Sequence, residues 1–105
     1  MLENLLGLCK RAGRLAVGFD AVTALLHKNA TRLVLLAADA SPKTQKEIQF
    51  HAQQAAHLTP VHTVPLTKEQ FARAVGSAKP VAVAAVTDDG FAARIIKEIN
   101  KAAVL

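Results

Sequence analysis

A three-layer α/β/α sandwich around a four-stranded mixed sheet is the fold class that this chain predicts. Three observations carry the prediction. Four short stretches of strand character alternate with segments whose apolar residues recur at helical spacing. Two of those strands, Leu33–Ala38 and Val81–Val86, contain no polar residue. A strand buried on both faces has that pattern, so helices must cover the sheet on both sides. Helix start and stop signals also fall in the gaps between the strands.

The elements follow in order. Leu2, Leu5, Leu6 and Cys9 lie on one helical stripe, which predicts a first helix over 2–12 that Gly13 ends. Leu15–Val17 is a short strand. Gly18 opens a second helix with Val22, Leu25 and Leu26 inward, and Asn29 caps its end. After the Leu33–Ala38 strand, Ser41 serves as an N-cap with Pro42 at the first helical position. The third helix runs to about residue 56 with Ile48, Ala52 and Ala55 inward. Pro60 separates it from a strand over Val61–Val64. Thr67 and Gln70 have the spacing of a capping box for a short fourth helix carrying Phe71, Ala74 and Val75. Gly76–Pro80 is a loop before the last strand. Asp88 caps a final helix with Phe91, Ala92, Ile95, Ile96, Ile99 and Ala103 on one face.

A chain of 105 residues suits one domain, 1–105, with a modest core. Apolar residues make up 51%, which argues against disorder. The net charge is +5 and suits an anionic partner. Its distribution is uneven: residues 1–32 carry +3, residues 33–66 carry zero and the remainder +2. There is no Trp or Tyr, so aromatic platforms for stacked bases are scarce, and an RNA partner would be met through shape and backbone. The single cysteine excludes an intrachain disulfide and fits a reducing compartment. The apolar runs are too short to span a bilayer, so the expected location is the cytoplasm.

An enzyme needs converging reactive groups, and none is legible here. Cys9 falls on an apolar stripe and has the place of a core residue. His27, His51, His57 and His62 lack metal-ligand spacing and have the places of surface or boundary residues. Asp88-Asp89 sits where a helix cap is expected. Gly13 and Gly18 have P-loop glycine spacing, but Phe19-Asp20 follow where Lys and Ser or Thr are required. The expectation is therefore a non-enzymatic protein with no metal, no cofactor and no small-molecule substrate.

Several segments together resemble a known family. They are Leu5-Leu6-Gly7-Leu8 with Arg11-Ala12-Gly13-Arg14-Leu15, Gly18 at a helix start, Leu33–Asp39, Phe71-Ala72-Arg73-Ala74-Val75-Gly76, and Val81–Val86. In this order and spacing the chain resembles the L7Ae-type ribosomal proteins, the kink-turn RNA binders, and among them the small bacterial ribosome-associated members. The resemblance implies an α/β/α sandwich that binds a sharply bent RNA loop containing sheared G·A pairs. The helix beginning at the glycine would enter the widened groove, and the loop after the fourth helix would touch the extruded nucleotide.

Carried onto this sequence, the resemblance and the local charge nominate Lys10, Arg14, Gly18, Phe19, Asp20, Lys28, Gly76, Ser77, Ala78 and Lys79. Lys10, Arg14, Lys28 and Lys79 would meet phosphates, and Gly18 would offer backbone N–H groups. Phe19 would either staple the helix start or meet RNA. Ser77-Ala78 would pack against an unstacked nucleotide. These residues are expected to form one face. Archaeal members typically carry Gly-x-Asn-Glu-x-x-Lys at the helix start, where this chain has Gly18-Phe19-Asp20-Ala21-Val22-Thr23-Ala24. Asp20 accepts hydrogen bonds but does not donate them as Asn does, and Ala21 and Ala24 have no polar reach. Two function classes stay open. One is a ribosome-associated binder of structured RNA, ribosomal RNA foremost. The other is a protein-interaction module that kept the fold and lost specific RNA recognition.

Overall fold

The strands' alternating side chains decide which helices lie on which side of the sheet. In the computed structural model, residues 1–56 and 58–103 are described, the last two without their side chains. The elements are α1 (Leu2–Arg11), β1 (Leu15–Val17), α2 (Phe19–His27), β2 (Leu33–Leu36), α3 (Pro42–Gln54), β3 (Val61–Thr63), α4 (Lys68–Val75), β4 (Val83–Val86) and α5 (Asp89–Ala103). The sheet order is β1-β4-β2-β3. β4 is antiparallel to both β1 and β2, and β2 is parallel to β3, so the sheet is mixed.

Every residue of the two central strands is buried. Leu33, Leu35, Ala84 and Val86 face one side, where they meet Leu6 and Cys9 of α1, Phe71 and Val75 of α4, and Ile95 of α5. Val34, Leu36, Val83 and Ala85 face the other, against Val22 and Leu26 of α2 and Ile48 of α3. The period of two along a strand thus produces two cores and three layers. The predicted fold class is the observed one.

The caps also form as the sequence predicts. Ser41 Oγ accepts from the Thr44 N–H. Thr67 and Gln70 close both arms of the capping box. Asp88 Oδ2 accepts from the Phe91 N–H, so Asp88 serves as a cap. Asn29 adopts φ 56 after α2, and its Oδ1 also accepts from the Ala56 N–H across the layer.

Several boundaries differ because the end residues bond elsewhere. β2 runs Leu33–Leu36; the Ala37 N–H still donates to the Ala82 carbonyl in the β4 register, and the chain leaves the sheet at Ala38, whose N–H donates to the Leu66 carbonyl. β4 begins at Val83, since the Val81 N–H donates to the Lys68 carbonyl. α3 ends at Gln54 because Ala55 turns extended. On α4, Ala72 is buried along with Phe71 and Val75, whereas the predicted Ala74 is half-buried. His57 and the inward face expected of Ala103 lie outside the described residues and side chains.

Candidate nucleic-acid interface

The register of the short first strand distributes the nominated residues. β1 pairs with β4 so that Leu15 lies opposite Val86 and Val17 opposite Ala84. Gly18 therefore sits at the start of β4, and its N–H donates to the Val83 carbonyl at 2.9 Å. Arg14 sits at the other end, where its carbonyl accepts from the Thr87 N–H at 3.0 Å. Four extended residues separate the two backbones by about 13 Å. α2 then leads from Gly18 to Lys28, about 15 Å away along its axis. Lys10 joins Arg14, because the end of α1 turns into β1 through bonds from Gly13 to Lys10 and from Arg14 to Cys9. The nominated residues thus lie toward two ends of the sheet.

At the glycine end, Gly18 is the N-cap of α2 with φ 102 and ψ 152. That conformation is almost exclusive to glycine. No Cβ at this position would meet an atom within 4 Å, so the requirement is conformational rather than steric. No side chain among the described residues caps the helix start, which leaves its first N–H groups directed outward at the positive end of the helix dipole. Phe19 is half-buried, with its ring edge-on to His51 at a centroid distance of 6.0 Å. Its ring packs against α3 and holds the helix start in place. Asp20 is exposed one residue further on.

The loop after α4 leads back to the same end. Gly76 adopts the left-handed conformation, φ 72, and the Ser77 N–H donates to the Ala72 carbonyl at 2.9 Å, which terminates α4. Ser77 Oγ then donates to the Lys79 carbonyl at 2.8 Å and faces the Lys79 N–H at 3.2 Å. The loop is therefore internally braced, while Ala78 and Lys79 remain exposed. Asp39, to which sequence reasoning assigned no role, ties this corner together: its Oδ1 accepts from the Lys68 N–H at 2.8 Å. Its place directly after a buried strand was the available signal. His51, expected at the surface or boundary, is half-buried, and its ring contacts both Phe19 and, at 5.2 Å, His27 at the far end of α2.

The opposite end is basic. Lys10, Arg11, Arg14 and Lys28 are exposed there and carry no ion pair among the described residues. Arg32 is neutralised by Asp89, Nε to Oδ1 at 3.0 Å. Beneath them, Cys9 is fully buried. Burial, with a smaller contribution from the Asp88 carboxylate, pushes its thiol up to about 11. It is a core residue held in the unreactive protonated form. Among the described residues, no three His, Cys, Asp or Glu side chains gather as metal ligands would. No described helix is long and apolar enough to cross a membrane.

A three-layer α/β/α sandwich on a mixed four-stranded sheet of order β1-β4-β2-β3 defines a recognisable class of small α/β domain. The chain belongs to the ribosomal protein L7Ae/L30e/S12e/Gadd45 family, whose model matches residues 1–96. No curated protein matches its sequence. Among solved structures, a Bacillus halodurans protein of unknown function is 28% identical, with a TM-score of 0.82 over 94% of this chain and 96% of that one. A Giardia lamblia 15.5 kD RNA-binding protein is 20% identical, with a TM-score of 0.72 over 95% of this chain and 85% of that one.

Proposed function

We propose that the protein is a non-enzymatic binder of structured, kink-turn-like RNA, with ribosomal RNA as its partner. The observation that carries this reading is the uncapped start of α2 at Gly18, at the end of the sheet where the 76–80 loop leads into β4. Family membership supports it. So does the shared fold of the Giardia lamblia protein, which is described as RNA-binding.

The separation of the two ends divides the labour. At the glycine end the exposed carboxylate of Asp20 repels phosphate but accepts from a guanine amino group, so this end reads base edges. Ser77 and Ala78 receive an unstacked nucleotide, and Lys79 anchors its phosphate. Some 13 Å away, by the rise of an extended chain, Lys10, Arg14 and Lys28 hold the backbone of a flanking stem. Titration of the protein with a kink-turn RNA, and with the same RNA carrying Watson–Crick pairs in place of its G·A pairs, tests the reading. Preference for the kinked RNA is expected. Equal binding removes kink-turn recognition and favours the protein-interaction module.

A further inference from the structure

The groove between α1 and α5 lies in the helical layer on the other side of the sheet from α2 and takes no part in the RNA reading. It has a volume of about 350 Å³ and is lined by Met1 with Asn4, Leu5 and Leu8 of α1 on one side, and by Arg94, Lys97 and Lys101 of α5 on the other. Leu8 is 47% exposed and Met1 81% exposed, two of the four large apolar side chains left open to solvent among the described residues. Met1 and Leu8, seven positions apart, are the exposed apolar side chains of this wall, and Leu5 between them belongs to the core beneath. The α5 cations fall at i, i+3 and i+7, a basic stripe about 10 Å long. Glu98, the one carboxylate among the lining residues, lies 4.0 Å from the Met1 amine.

We propose that this groove docks an acidic amphipathic helix of a protein partner. The exposed side chains of Met1 and Leu8 beside a cationic rim are complementary to a helix with Leu-type anchors at i, i+4 and i+7 flanked by Glu or Asp. The charge excess of the rim selects the sign of that flank. RNA uses the cations but leaves Leu8 and Met1 unmatched, whereas an acidic amphipathic helix uses both. The apolar anchors supply affinity and the cations supply orientation and specificity.

The test is an amide chemical-shift titration of the intact protein with a synthetic helical peptide of about three turns, carrying Leu at i, i+4 and i+7 and Glu between them. A scrambled peptide of the same composition is the control. Shifts confined to residues 4–8 and 94–101 are expected, with binding at least roughly tenfold weaker for the scrambled peptide. The double variant Lys97→Glu, Lys101→Glu should weaken the designed peptide by roughly tenfold, and Leu8→Gln by a smaller factor. Both carry exposed substitutions, and unchanged thermal melting verifies their folding. Absence of binding overturns the proposal, as does equal binding of the scrambled peptide or shifts centred on residues 18–20. A short RNA duplex that shifts residues 94–101, with loss on charge reversal, overturns it in favour of a second phosphate-binding surface. None of these substitutions touches Gly18, the 76–80 loop, Lys10, Arg14 or Lys28, so kink-turn binding can fail or persist independently.

Discussion

The two ends of the sheet are built on opposite principles. At the glycine end the geometry is set by groups the fold holds in place: a helix start that no described side chain caps, a loop braced by Ser77, and a carboxylate, Asp39, that accepts from the first N–H of α4. At the basic end, long exposed side chains stand on a turn and a helix terminus. Backbone groups fixed by a fold have one geometry and suit one ligand shape. Lys and Arg heads on flexible stems follow any phosphate within reach. Discrimination between RNAs is therefore expected to respond to changes at Gly18 and Asp20, and total affinity to changes at Arg14 and Lys28.

Gly18→Val gives the sharpest test and the largest expected effect. At φ 102 and ψ 152 a β-branched residue is strained although the space is open. The strain costs about 1–3 kcal/mol of stability. Relief of the strain would turn the first residues of α2, so kink-turn binding should fall more than the loss of stability accounts for. Thermal melting alongside RNA titration separates the two. A Gly18→Val protein with full stability and full discrimination would show that the glycine end is only a turn.

The double change Asp20→Asn, Ala21→Glu probes the same end from the side of recognition. Asn adds a donor that Asp lacks, and Glu extends a polar group where Ala21 offers none. Each hydrogen-bonded pair added to a base edge is worth about 1–3 kcal/mol of discrimination. The variant should prefer kinked RNA over the Watson–Crick control more strongly than the wild type does. An unchanged ratio would move the reading element away from α2.

Cys9 tests whether the basic end rests on an inert core. Its thiol, raised from 9.0 to about 11, is protonated in the folded state where the unfolded chain ionises. The stability this gives is fully present below pH 9 and is lost as pH rises from 9 to 11, by on the order of 2 kcal/mol. Cys9→Ala should remove that alkaline loss, cost about 1 kcal/mol near neutrality and leave RNA binding unchanged. Urea melts at several pH values for both proteins read the difference. Impaired RNA binding by a stable Cys9→Ala protein would indicate reactive chemistry at this position.

The fold was legible because its signals are local. Ser41-Pro42, the Thr67–Gln70 box and Asp88 each fix a helix start through a side chain a few residues from its partner, and all three form. The burial of β2 and β4 on both faces was equally plain from their lack of polar residues. The candidate site was less legible because its layout depends on strand register. Residues 10 to 28 are close in sequence, yet the antiparallel pairing of β1 with β4 and the axis of α2 place Arg14 and Lys28 at the far end from Gly18. Nothing in the sequence near Gly18 specifies that pairing. The packing partner of Phe19, His51, lies far along the chain on α3 and is not legible from the residues around Gly18. The exposed Leu8 was the exception: it lies off the Leu2-Leu5-Leu6-Cys9 stripe, so its solvent exposure was visible from spacing alone.

Arg14→Ala with Lys28→Ala sharpens the comparison at its weaker end. Both side chains are exposed and form no ion pair among the described residues, so the change in stability should stay within about 0.5 kcal/mol. Each phosphate contact contributes roughly 0.7 to 0.9 to the slope of log affinity against log salt. If both residues touch the flanking stem, that slope should fall by about 1.5. The affinity at low salt should fall with it, while the loss near 1 M salt is small. The decisive feature is the ratio between RNAs. Kink-turn RNA and its Watson–Crick counterpart carry the same phosphates, so both should lose affinity by the same factor and the preference between them should survive. Selective loss on the kinked RNA would mean that Arg14 or Lys28 reaches a base at the bend, which would end the division between a reading end and a holding end.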